Sequence, residues 1–218
     1  MIYAYAVSEP AALDPLPRRR AFGGAALRVA MAGDLAAAYS RHRTLRPRPT
    51  PEAMWTHERV VEALMERGPV LPMRFGTVVD DDEALTAMLC ARRDELAAAL
   101  ERVRGRVELG LRVVADRPAR EAHARDGRAY VLARLDEYRR ADRAARDVHE
   151  PLAAFACESR VRQRTPAPTL LAAAYLVERG DVARFRARVE EAAAVCPGVH
   201  VACTGPWPPY SFTEPEPA

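Results

Sequence analysis

Histidine–glutamate pairs, a run of carboxylates and four cysteines are the groups in this 218-residue chain whose types could carry chemistry. His57-Glu58 opens like the zinc pattern H-E-x-x-H, in which two histidines one helical turn apart share a metal. The second histidine would be residue 61, which is Val61, so the pattern fails. His57 reads instead as a packed residue on an apolar helix face. Asp80, Asp81, Asp82 and Glu83 place four carboxylates in a row. Calcium loops space their oxygen ligands through a turn, whereas a contiguous run ahead of a helix reads as capping against the positive end of the helix dipole. His149-Glu150 falls at a helix break marked by Pro151 and reads as structural; His123, Asp136, Glu137 and Asp142 read as solvated.

The cysteines are Cys90, Cys157, Cys196 and Cys203. No pair has C-x-x-C spacing, which argues against a zinc ribbon or a thioredoxin-type site. They read as reduced core residues, although Cys196 and Cys203 flank a turn and could approach each other. The chain lacks G-x-S-x-G, a P-loop and G-x-G-x-x-G, and no nucleophile has an attendant base. No cofactor or metal site is expected. Two oddities remain. Arg74 stands in an otherwise apolar strand, either paired with a carboxylate or reserved for a partner. Pro206-Trp207-Pro208-Pro209-Tyr210-Ser211-Phe212 sets three aromatics on a stiff extended backbone, which either seals a core or presents a sticky surface.

Periodicity supplies the elements that must position these groups. Residues 70–79 alternate, with Leu71, Met73 and Phe75 on one face and Val70, Pro72 and Arg74 on the other, so they read as a strand. Pro72 puts it at an edge or an end, and Gly76 allows a sharp turn into the helix that the acidic run caps. Strands are expected at 2–7, 27–31 and 34–39, with a proline-, arginine- and glycine-rich loop between the first two. Thr50-Pro51 is a helix start, and His57, Val60, Val61, Leu64 and Met65 share the face of a helix ending at Gly68-Pro69. One helix is expected from 82 to 103, then a strand at 107–113 with Val107, Leu109, Leu111 and Val113 inward and Glu108, Gly110 and Arg112 outward. A charged loop at 117–126 precedes a long helix over 128–148 with a heptad-like stripe at Val131, Leu135, Tyr138, Ala145 and Val148. A short helix at 152–157, a central strand at 170–177, a helix from Val182 and a strand at 199–203 complete a β, α, β, α, β order. Two mixed α+β domains result, 1–104 and 105–218.

Composition limits the function classes. Apolar content of 49% and charged content of 29% suit a soluble globular protein. No apolar run reaches the roughly 18 residues that span a bilayer, and the N-terminus lacks the basic and apolar regions of a signal peptide, so a cytoplasmic protein without a membrane role is expected. Net charge is +3, too small to imply nucleic acid. All 33 basic residues are arginine, lysine and asparagine are absent, and Ile2 is the sole isoleucine. That bias reads as a GC-rich genome, so arginine count alone argues nothing. The proline-rich basic stretch 41–51 has no interleaved aromatics and reads as a solvated loop.

Val70-Leu-Pro-Met-Arg-Phe-Gly-Thr-Val78 and Thr204-Gly-Pro-Trp-Pro-Pro-Tyr-Ser-Phe212 resemble signatures of the gas vesicle GvpL/GvpF family. Between them, His57-Glu58-x-Val60-Val61, Glu108-Leu-Gly-Leu-Arg-Val113, Gly127-Arg-Ala-Tyr130-Val-Leu and Leu170 to Val177 follow in the family's order. The loop at 8–24 is idiosyncratic. The resemblance implies two α+β domains, the second a modified ferredoxin-like fold. It implies a non-enzymatic accessory protein of gas vesicle assembly, associated with the vesicle at its gas-facing side. Its partners would be the small hydrophobic shell protein and other gas vesicle accessory proteins. No catalytic residues come with it. Arg74, Phe75, Trp207, Tyr210 and Phe212 are the candidates for architecture or partner contact. The competing reading is a small-molecule-binding or enzymatic α+β protein built on His57, Arg74, Cys196 and Cys203.

Overall fold

A computed structural model describes residues 1–43, 47–115, 127–163, 169–196 and 198–214. The chain divides into two compact units, Met1–Arg106 with Trp207–Ala218, and Val107–Pro206. Both combine helices with antiparallel strand pairs, so the fold is α+β.

The first unit is built on β1 (Ile2–Ser8), all seven residues of which are buried. Along one side β1 pairs antiparallel with β3 (Leu35–Arg41), which forms a two-residue hairpin with β2 (Leu27–Ala32) through Gly33-Asp34. Gly33 takes a positive φ of 66°, a conformation glycine adopts without a Cβ penalty. Along the other side β1 pairs with β4 (Val70–Pro72) and then β5 (Val78–Val79). The sheet order β2-β3-β1-β4 leaves β4 at the end of the path, with Pro72 its last residue, where a missing N–H removes no ladder bond. The alternation over 70–79 thus serves two short strands joined by a turn, rather than one strand. The turn is tied down at its ends: the Met73 amide donates to the Tyr5 carbonyl (2.8 Å) and the Ala4 amide to the Thr77 carbonyl (3.1 Å).

α1 (Pro51–Met65) starts where Thr50 accepts from the Ala53 amide, and it buries His57, Val60, Val61, Leu64 and Met65. Asp81 caps α2 (Asp82–Ala91) through the Ala84 amide. The expected single helix over 82–103 is instead two, α2 and α3 (Arg93–Val103), separated at Arg92 with φ −114° and ψ 20°. Leu85 and Leu89 stay in phase with Leu96 and Leu100 across the break, so periodicity alone does not reveal it.

In the second unit β6 (Arg106–Ala115), β7 (Glu158–Gln163), β8 (Thr169–Glu178) and β9 (Val199–Trp207) form a sheet in the order β7-β8-β6-β9. α4 (Gly127–Ala144) runs through a π-helical segment, Ala145–His149, into α5 (Glu150–Phe155), and α6 (Val182–Ala194) joins β8 to β9. Pro151 does not end the helical run; it lies in the first turn of α5, immediately after the π-helical segment. The element order is β-α-β-β-α-β, with the charged strand β7 absent from the sequence reading. The core gathers Leu109, Leu111, Val113, Leu171, Tyr175, Phe185 and Val189.

Four expectations need correction. Glu108 lies on the face of β6 opposite Leu109 and Leu111, as its alternation requires, yet it is only 5% exposed; Arg162 of β7 donates to its Oε1 at 2.9 Å and supplies the opposite charge. Val131, Leu135 and Tyr138 of the heptad-like stripe are exposed, whereas Val148, within the π segment, reaches the core. Cys90 and Cys157 are exposed rather than core residues, while Cys196 and Cys203 pack against the core of the second unit as free thiols. Residues 207–214, expected with the second domain, belong to the first unit. There Phe212 is fully buried, and Arg102 of α3 donates to its carbonyl at 2.6 Å. The expected loop at 117–126, with His123, lies outside the described residues.

Phe212→Ala should therefore destabilise the first unit by about 3–5 kcal/mol, the range for emptying a buried aromatic site. Denaturant unfolding followed from both units checks this; a loss below about 1 kcal/mol would show that the tail does not fill that core.

Candidate functional site

Of the candidates, the structure brings Phe75, Tyr210 and His57 into one cluster in the first unit. β1 carries a bulge that leaves Tyr5 without a partner on β3. The Tyr3 and Tyr5 rings lie 4.9 Å apart, centre to centre. Phe22 stacks on Tyr3 at 5.4 Å, and Phe75 meets Tyr3, Phe22 and His57 edge-on. Tyr210, from the returning tail, lies 6.4 Å from the His57 ring. Such tilted and edge-on pairs oppose ring edge to ring face, as the aromatic quadrupole prefers.

Hydrogen bonds fix the histidine tautomer. His57 Nε2 faces the Met73 carbonyl at 3.1 Å, which can only accept, so Nε2 carries the proton. Nδ1 then accepts from the Tyr3 hydroxyl at 3.0 Å, and that hydroxyl oxygen accepts from the Gly76 amide at 3.2 Å. A second chain runs beside it: Tyr5 accepts from the Phe22 amide at 2.8 Å and shares a hydrogen bond with Ser40, which contacts His42 Nε2 at 2.8 Å. The Tyr210 hydroxyl donates to Glu58 Oε2 at 2.9 Å.

Burial sets the protonation states. It lowers the His57 pKa to about 4, outweighing the Met73 carbonyl that favours the imidazolium. It pushes Tyr3 up to about 12 and raises Tyr5. Tyr210 is raised by burial and by the adjacent Glu58 carboxylate, so it stays a donor. The result is a neutral imidazole with both nitrogens committed, which suits a structural strut. Among the described residues, no group of three or more His, Cys, Asp or Glu is placed to hold a metal ion.

Arg74 and Trp207 stand outside this cluster, and Phe212 is fully buried in the same unit. The Arg74 side chain is 87% exposed and pairs with Glu214 at 3.7 Å; Trp207 is half-buried at the end of β9. Cys196 and Cys203, expected as possible companions of His57 and Arg74, belong to the other unit. The contributions of Tyr3, Phe22 and the Met73 carbonyl escaped the sequence reading. Its one usable signal was the Tyr3-x-Tyr5 spacing on a buried strand.

The family model described as gas vesicle synthesis protein GvpL/GvpF matches residues 1–214. Gas vesicle protein L of a Streptomyces species is 36% identical, over 74% of this chain and 68% of that protein. Gas vesicle protein F2 of Halobacterium salinarum is 29% identical, over 83% and 76%. The crystal structure of GvpF from an Anabaena species matches with a TM-score of 0.83 at 18% identity, over 99% of this chain and 96% of that one. At that identity the likeness shows the fold alone.

Two outcomes follow from the cluster. Because the folded pKa of His57 lies below its unfolded value, the unfolded chain binds the extra proton between about pH 6.5 and pH 4. Stability contributed by this group is present above that window and falls by about 3 kcal/mol across it on acidification. An NMR titration should show the His57 ring neutral until near pH 4; protonation near pH 6.5 would contradict the buried placement. Tyr210→Phe strips the Glu58 carboxylate of a donor and should cost about 1.5–3 kcal/mol in denaturant unfolding.

Proposed function

The chain belongs to the GvpL/GvpF family of gas vesicle synthesis proteins, and from that premise we propose that it is a non-enzymatic accessory protein of vesicle assembly that contacts the small hydrophobic shell protein. Its relatives are gas vesicle proteins L and F, and a role in gas vesicle formation follows from the family.

One observation carries the finer reading. Residues 70–78 and residues 207–212, the closing part of the second segment that resembles a family signature, lie in the same unit and differ in side-chain exposure. Phe75, Tyr210 and Phe212 pack inward, while Arg74 is exposed and Trp207 half-buried. The Arg74–Glu214 pair is solvent-exposed, and such pairs contribute only about 0–1 kcal/mol, so fold stability gives Arg74 little reason to be there. Arginine and tryptophan are also the side chains most often found to dominate interface energetics. We assign Arg74 and Trp207 to partner contact and the other three to architecture. The partners would be the shell protein and other accessory proteins of the vesicle, with the protein at the gas-facing side after assembly in the cytoplasm. No helix among the described residues is long and apolar enough to cross a membrane. The β-α-β-β-α-β order of the second unit supports its reading as a modified ferredoxin-like fold.

The small-molecule or enzymatic reading gains nothing from the geometry. Its residues are split between the two units, and His57 has no uncommitted nitrogen.

Deleting the gene from a vesicle-forming host should abolish or deform the vesicles; normal vesicles would contradict the assembly role. In a pull-down with the shell protein, Arg74→Ala and Trp207→Ala should each reduce retention several-fold in folded material. Retention equal to wild type would remove both residues from the interface.

A further inference from the structure

We propose that a cleft in the first unit, lined by Arg18, Arg19, Arg20 and Arg59 over a floor of Ala21 and Val60, is a docking site for an acidic segment of a partner protein. The cleft measures about 480 Å³. Its four guanidinium groups belong to exposed residues, whereas Ala21 and Val60 are buried. None of Arg74, Phe75, Trp207, Tyr210 or Phe212 lines it, so the inference stands or falls apart from the shell-contact reading.

Arginine abundance is not the argument, since every basic residue of the chain is arginine. The pairing is. Elsewhere in the same unit Arg41 meets Asp82, Arg92 meets Glu95, Arg93 meets Asp34 and Arg104 meets Glu9. Among the described residues, none of the four cleft arginines has a carboxylate within ion-pair distance. Arg20 spends one N–H on the Gly24 carbonyl at 3.2 Å, which holds it at the rim. Four like charges around one cleft repel one another in the free protein, and bound carboxylates would relieve that repulsion while taking the two-pronged bonds guanidinium offers.

The chemistry favours carboxylates on a peptide over a phosphate group. Phosphate sites typically present a cradle of free backbone amides. Here four amides of the turn beside the arginines are already used: Ala21 donates to the Ala25 carbonyl, Phe22 to the Tyr5 hydroxyl, Gly24 to the Ala21 carbonyl and Ala25 to the Phe22 carbonyl. Thr56, the remaining hydroxyl, donates to the Glu52 carbonyl. No aromatic side chain lines the cleft for a base to stack on, which argues against single-stranded nucleic acid.

Fluorescence anisotropy with a fluorescein-labelled hexaglutamate peptide at low salt tests the site. The double variant Arg20→Glu, Arg59→Glu should bind at least tenfold more weakly than wild type. The charge-matched control Arg48→Glu, Arg112→Glu, at exposed positions outside the cleft, should bind like wild type. Unlabelled pyrophosphate and oligothymidylate, matched for charge, should displace the peptide less well than unlabelled hexaglutamate. Thermal unfolding of both variants confirms folded material. Equal weakening in the two variants, no binding by wild type, or stronger displacement by pyrophosphate or oligothymidylate would overturn the proposal.

Discussion

A neutral histidine sealed among aromatic rings is the constraint on which the first unit depends. A buried polar group without partners costs several kcal/mol, so both nitrogens of His57 must be satisfied from within the protein. One partner comes from β1, the Tyr3 hydroxyl, and the other from the turn after β4, the Met73 carbonyl. Gly76 closes the loop by donating back to Tyr3, with φ of 89°, a backbone state that L side chains rarely adopt. Helix α1, the central strand and the 73–77 turn are therefore fixed relative to one another by three hydrogen bonds. The tail adds the fourth wall, with Tyr210 against the imidazole and its hydroxyl on Glu58, the residue next to His57.

This arrangement explains why the first signature-like segment has its composition. Leu71 and Phe75 fill space, Pro72 ends an edge strand, and Gly76 turns the chain. Arg74 is the exception. It points to solvent from a turn whose backbone is held on both sides, so its position is rigid although its side chain is not. A rigidly mounted, weakly paired arginine suits recognition, because a partner need not order the backbone to use it. The cleft at Arg18 to Arg20 and Arg59 is of a different kind. Its charge is concentrated and uncompensated within the described residues, where Arg74 has at least Glu214 nearby.

Much of the fold was legible because local signals and burial agreed. Thr50-Pro51 and Asp81 cap the helices they were expected to cap, and Leu170 to Val177 lies in an interior strand, as a continuous apolar run requires. What escaped depends on contacts distant in sequence. Charged β7 looks like a loop until Arg162 meets Glu108, 54 residues away. The tail looks like an appendage of β9 until Phe212 finds the first unit. The helix break at Arg92 leaves the apolar phase intact, and so leaves no trace in the pattern. At the site, Phe75, Tyr210 and Phe212 were conspicuous as aromatics in unusual contexts. Their common neighbour, His57, was legible only as packed, since its partners Tyr3 and Met73 are 54 and 16 residues away.

The central claim is that residues 70–78 and the chain's closing segment form one structural joint in the first unit. Native-state amide exchange on the full-length protein tests it most directly. The Met73 amide, bonded to the Tyr5 carbonyl, and the Phe212 amide, bonded to the Pro209 carbonyl, are the reporters. If the joint is real, both exchange only when the first unit opens as a whole, with the same opening free energy and the same denaturant dependence. A Phe212 amide that exchanges by a separate, low-energy opening, while Met73 stays protected, would contradict it.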